Sequence, residues 1–164
     1  MTPRSIPTQL AGLAGWLALT FATAGLGAIA SVNAGTFYGG LSRPEWAPPA
    51  GVFGPVWSIL YLLMGVAAWR IWRVQPIAGR RNALALFLTQ LAVNALWSWL
   101  FFAWRLGAFA FVDVLVLLAL IAATLSAFWR LDRLAGLLLG PYLAWVSFAS
   151  ALTWAVWQRN PNVL

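Results

Sequence analysis

At 164 residues the chain is the size of one domain, but 63% of its residues are hydrophobic, 8% are charged and mean hydropathy is +0.84, which excludes an ordinary soluble globular protein. The net charge of +7 comes from ten arginines set against Glu45, Asp113 and Asp132. Those arginines sit mainly at the ends of apolar runs, so they read as topology signals and headgroup anchors rather than as a nucleic-acid surface. With no cysteine and no histidine, the chain has no disulfides, lacks the usual ligands of zinc, copper and haem iron, and lacks the commonest general base. Function must be built from aromatic faces, amides, hydroxyls and three carboxylates.

Backbone groups in hydrocarbon must be satisfied internally, and the long apolar runs lack the alternation of a transmembrane barrel, so they predict helices. A span takes about 20 apolar residues. The pattern predicts an all-α membrane protein, a five-transmembrane-helix bundle forming one integral membrane domain over residues 1–164, with helices near 9–32, 53–73, 82–104, 108–129 and 135–157. The first run has a basic start and Ala28-Ile29-Ala30, as a signal peptide would, but it is longer than a typical signal core and reads as a retained span. Its small residues Thr23, Gly27 and Ser31 recur every four positions and suit close helix approach within the chain.

Residues 33–52 are expected to form a long structured loop between the first two helices, rich in proline and glycine and carrying Arg43, Glu45 and Trp46. We read it as a lid over a pocket, with Pro44, Pro48 and Pro49 limiting its rearrangement. The second helix starts with Pro55 in its first turn, where a missing N–H costs nothing. A short turn with Pro76 is expected at Val74–Gly79. The third helix sets Gln90, Asn94 and Ser98 on one face. Asp113 lies early in the fourth, where pairing with Arg105, capping of the helix start, or a ligand or proton role are the alternatives. Asp132, between Arg130 and Arg133, reads as a solvated turn. Gly140-Pro141 should kink the fifth helix unless the helix starts there. Trp16, Trp69, Trp72, Trp104, Trp129 and Trp157 are assigned to the interfacial aromatic belt.

With five spans, seven arginines (Arg4, Arg70, Arg73, Arg80, Arg81, Arg130, Arg133) fall at one end and three (Arg43, Arg105, Arg159) at the other. That asymmetry places the N-terminus in the cytoplasm of a bacterial inner membrane and the lid loop on the opposite side. No internal repeat supports an inverted-repeat transporter.

Three helices each offer an aromatic face. Trp57, Tyr61 and Met64 share a stripe in the second, and Asn94, Trp97, Ser98 and Phe101 share one in the third. Pro141, Trp145 and Ala149 recur at four in the fifth, setting an indole beside a small residue. Asn94 makes either an interhelical hydrogen bond or part of a pocket wall. Such faces suit a flat, mostly apolar ligand with a few polar edges.

The segments RPEWAPP (43–49), FGPVWSILYLLMG (53–65), QLAVNALWSWLFF (90–102), Val112-Asp113 and PYLAWVSFASAL (141–152) resemble the tryptophan-rich sensory protein and mitochondrial translocator protein family, also called the peripheral-type benzodiazepine receptor family. The resemblance runs from the first span to Asn160. It implies a five-helix bundle, commonly a homodimer, whose first loop closes over a pocket for porphyrins such as protoporphyrin IX and for isoquinoline carboxamides. Carried over by motif, Tyr38, Trp46, Trp57, Tyr61, Asn94, Trp97, Trp145 and Ala149 look like the pocket-lining set. The implied function is a porphyrin-binding membrane receptor or sensor with no required cofactor, catalytic residue or metal. Light-dependent porphyrin degradation and transport of tetrapyrroles or lipids are the alternatives. Thr153 stands where many members have asparagine. Trp154 replaces the tyrosine of the animal cholesterol consensus, which makes sterol binding the weakest inherited property.

Overall fold

The five long apolar runs become helices in the computed structural model, which describes residues 5–73 and 78–164. They are α1 (Ile6–Ala30), α3 (Phe53–Arg73), α4 (Arg80–Ser98), α5 (Gly107–Leu131) and the pair α6 (Arg133–Leu138) and α7 (Gly140–Arg159); a short α2 (Ala34–Gly40) lies in the first loop. All five runs are long and apolar enough to cross a membrane. Arg4 and most of the turn expected at Val74–Gly79 lie outside the described residues. Gly79, the last residue before α4, takes φ +83°, a left-handed conformation that favours glycine.

The bundle is apolar inside and outside. Leu60, Met64, Ala67, Ala68 and Ile71 of α3 are buried against Phe87 and Leu91 of α4, Leu117 and Ile121 of α5 and Tyr142 and Val146 of α7. Phe21, Leu26, Ile59, Leu62, Leu88 and Val116 remain exposed, as lipid-facing side chains must. Helix α1 lies chiefly along α3, α4 along α5, and α5 along α7. The α1–α3 seam works through small residues. A Cβ at Gly65 would stand 2.7 Å from Leu17 Cδ2 and 3.3 Å from the Leu17 Cα, and a backbone atom cannot swing away. Gly65→Val should therefore separate these helices and lower stability by about 2–3 kcal/mol, a loss readable as an earlier thermal midpoint in detergent; an unchanged midpoint would refute the close seam.

The first loop is structured, as expected: α2 occupies its start and a 3₁₀ turn, Ala50–Val52, leads into α3. Of the two alternatives for Gly140-Pro141, a kink or a helix start, the second holds: the span near 135–157 breaks at Leu139, and α7 begins at Gly140 with Pro141 in its first turn. Several expectations need correction. Asp132 is no solvated turn residue. Its carboxylate accepts from the N–H groups of Leu134 and Ala135 at 2.9 and 3.3 Å, capping α6, and pairs with Arg70 at 2.8 Å. Asp113 is unpaired: it lies one turn too deep in α5 to cap the start, and its Oδ2 is buried without a partner. Of the tryptophans assigned to the belt, Trp104 and Trp129 are exposed, but others stitch helices together. Trp69 donates to the Gln9 carbonyl at 2.8 Å, Trp72 packs on Gly12, and Trp16 meets Phe87 edge-on.

Candidate ligand pocket

The first loop, α3, α7 and the end of α4 enclose a cavity of about 360 Å³ at the end of the bundle that carries Arg43, Arg105 and Arg159. Its walls follow from the helix stripes. Phe53, Gly54 and Trp57 come from the first turns of α3; Trp97, Ser98, Phe101 and Phe102 from the end of α4 and the π-turn Trp99–Ala103 after it; and Trp145, Ala149, Leu152, Thr153 and Val156 from α7. Ala28 of α1 and Ser31 just after it close the cavity on one side, and Ala34, Gly35, Tyr38 and Ala50 of the loop roof it. A second cavity of about 280 Å³ adjoins it, shares Ala28, Gly54, Trp57 and Ser98, and reaches Tyr61 and Asn94.

The roof is fastened at three places. The Tyr38 hydroxyl donates to the Pro48 carbonyl at 3.1 Å, while the Pro44 and Pro49 carbonyls close turns by accepting from Ala47 and Val52. Burial pushes the Tyr38 phenol up in pKa, and the Arg43 guanidinium, 4.7 Å above its ring, pulls part of the way back. Edge-to-face contacts run from Tyr38 to Phe53 to Trp145 at 5.4 and 5.9 Å. Beyond the loop, the Asn160 amide clasps Ser42: its Oδ1 accepts from the Ser42 N–H and its Nδ2 donates to the Ser42 carbonyl, both at 2.9 Å, while Nδ2 also reaches the Val156 carbonyl at 2.7 Å. Asn160→Ala should leave the helices intact and release the loop, raising hydrogen exchange at the Ser42 amide about tenfold, the equivalent of 1–1.5 kcal/mol of lost hydrogen bonding. Unaltered exchange there would show that the clasp contributes nothing.

Five of the eight expected ligand residues, Tyr38, Trp57, Trp97, Trp145 and Ala149, line the main cavity. Tyr61 and Asn94 border the adjoining one. Trp46 lines neither; it is 52% exposed and packs edge-on against Phe148 at 5.8 Å. The Asn94 amide is committed between helices. Its Oδ1 accepts from the Tyr61 hydroxyl, its Nδ2 donates to the Tyr142 hydroxyl at 3.1 Å, and Tyr142 donates in turn to Gln90 Oε1 at 2.8 Å. Tyr142 was missed by sequence reasoning. The usable signal was a hydroxyl at a core position of the fifth span, where a phenylalanine would otherwise serve.

The cavity wall is aromatic and uncharged, with Ser31, Ser98 and Thr153 supplying hydroxyls. Two of its indoles, Trp97 and Trp145, have buried Nε1 groups without a hydrogen-bond partner. A buried donor left unmade costs about 1–3 kcal/mol, so two beside one cavity favour a guest that carries acceptors. Among the described residues no cluster of acidic side chains is arranged to hold a metal ion.

A five-span bundle roofed by its first loop agrees with what the sequence motifs imply, and the family model described as the TspO/MBR family matches residues 15–158. The chain belongs to the TspO/MBR family. It is 39% identical to the human "Translocator protein" over 128 residues, covering 76% of this chain and 75% of that one. Identity to the "Tryptophan-rich sensory protein" of Cereibacter sphaeroides is 40% over 126 residues, covering 77% and 78%. "Protein CrtK" of Rhodobacter capsulatus is 37% identical over 132 residues, covering 78% and 81%. Two of these relatives are named a translocator and a sensory protein, and this TspO/MBR chain is an integral membrane protein.

Proposed function

We propose that this TspO/MBR member is a membrane receptor or sensor that binds a flat, largely apolar tetrapyrrole of the protoporphyrin IX type beneath its first loop, regulating tetrapyrrole handling or a stress response, without conventional turnover. The observation that carries the reading is the aromatic cavity, where Trp57, Trp97 and Trp145 converge and two indole N–H groups await acceptors. The two unprotonated ring nitrogens of a metal-free porphyrin are acceptors on an otherwise apolar disc, and its faces stack on indole. With no histidine or cysteine in the chain, an iron porphyrin lacks its usual strong axial ligands, so a metal-free porphyrin held by stacking should compete well, and no cofactor is required. The arginine asymmetry supports a bacterial inner membrane with the roof loop opposite the cytoplasm, and membership of the family supports a homodimer.

Titrating protoporphyrin IX into the detergent-solubilised chain while following tryptophan fluorescence tests the reading: saturable quenching is expected, and quenching that merely tracks detergent partitioning overturns it. The three wall tryptophans also favour one second reading, light-dependent breakdown of the bound porphyrin. That reading requires loss of porphyrin absorbance that depends on both protein and light.

A further inference from the structure

The cavity wall carries no ionisable cation, so an anionic group on a guest cannot be neutralised inside it. At the roof, two adjacent rings of α2 each hold a guanidinium. Arg43 Cζ lies 4.7 Å from the centroid of Tyr38, which lines the cavity, and Arg105 Cζ lies 4.9 Å from the centroid of Phe37. Phe37 packs in turn on Phe101 and Phe102, which are cavity wall. Both arginines are exposed, and neither lies within salt-bridge distance of a described carboxylate. A guanidinium has five N–H donors, so one that lies over a ring, or that spends one N–H on the Tyr38 hydroxyl as Arg43 does, keeps others to take a carboxylate.

Arg105 adds an independent observation. At φ +56° it is the only described residue other than glycine in the left-handed region. The position closes the end of the π-turn, where the Leu106 N–H donates to the Leu100 carbonyl at 2.8 Å. Glycine suits such a closing turn best, so an arginine there is strained for the sake of its side chain.

We propose that Arg43 and Arg105 form an anion-recognising rim on the cavity, so that the guest is an amphiphile with a flat apolar body and carboxylates along one edge. The proposal rests on the cavity being the ligand site, and the test separates the two. Protoporphyrin IX and its dimethyl ester share a body and differ only in the charged edge. With the full chain in neutral detergent, the diacid should bind about tenfold more tightly than the ester, and added salt should weaken only the diacid. R105G should narrow that preference several-fold while holding or raising the thermal midpoint, since glycine relieves the left-handed turn. R43Q should narrow it without touching that turn. An ester that binds as tightly as the diacid, or a preference that survives in the R43Q/R105G double variant, overturns the rim but leaves the cavity as the ligand site. A lower midpoint in R105G would overturn the assignment of Arg105 to the ligand. Binding of neither form removes the site and the rim together.

Discussion

Replacing Trp57 and Trp145 together by alanine is expected to weaken protoporphyrin IX binding by about 100-fold, the equivalent of roughly 3 kcal/mol. Trp57 lines both cavities and meets the Tyr61 ring at 5.6 Å, so its loss merges the two spaces and removes one stacking face. Trp145 supplies the opposing indole together with an unpartnered N–H. An aromatic contact contributes about 0.5–1.5 kcal/mol beyond its buried area, and a hydrogen bond about 0.5–1.5 more, which together make the expected loss. Quenching would be followed through the remaining tryptophans. Trp104→Ala, at an indole 53% exposed on the outer surface, is the control and should bind as the parent does. Equal affinity in the double variant and the control would remove the cavity as the porphyrin site.

The second large effect concerns stability. Asn94→Ala should lower the stability of the bundle by about 2–4 kcal/mol in detergent, because the amide joins three helices at once. The Tyr61 hydroxyl of α3 and the Tyr142 hydroxyl of α7 both terminate on it, and Gln90 of the same helix completes the chain. Asn94, Gln90, Tyr61 and Tyr142 are all buried, so the substitution leaves two tyrosine hydroxyls short of a protein partner. Tyr142→Phe keeps the ring and removes only the hydroxyl; it should cost about 1–3 kcal/mol, and a double-mutant cycle with Asn94→Ala should return a coupling near 1 kcal/mol. Additive losses would mean that the network is a row of independent bonds. A porphyrin affinity that falls as steeply as stability would instead make Asn94 a ligand group.

Much of this molecule was legible because the bilayer imposes simple requirements. A run of about 20 apolar residues has nowhere to satisfy its backbone except in a helix, and the span expected at 53–73 became α3 over the same residues. Helical spacing placed Trp57, Trp97, Trp145 and Ala149 on faces that do converge, since residues four apart share a stripe whatever the helix packs against. The quoted motifs gave the family for the same reason, as short-range patterns that survive without knowledge of the fold.

The rest was decided between helices. Asp132 could not be told from a solvated turn residue until α3 brought Arg70 to within 2.8 Å, a partner 62 positions away in sequence. Trp69 and Trp72 flank arginines as belt residues do, yet the neighbouring α1 offers them a carbonyl and a glycine. Trp46 sits in the expected roof, but the turns closed by Pro44 and Pro49 direct its indole toward Phe148 and the surface. Sequence by itself determined which segments cross the membrane, which face of each is aromatic and which family the chain joins, because these depend on local composition and period. Only tertiary structure decided that Asn94 is held by Tyr61 and Tyr142, that Asn160 clasps the loop, and that Arg105 stands over the Phe37 ring, because each is a meeting of groups that the chain keeps far apart until the helices pack.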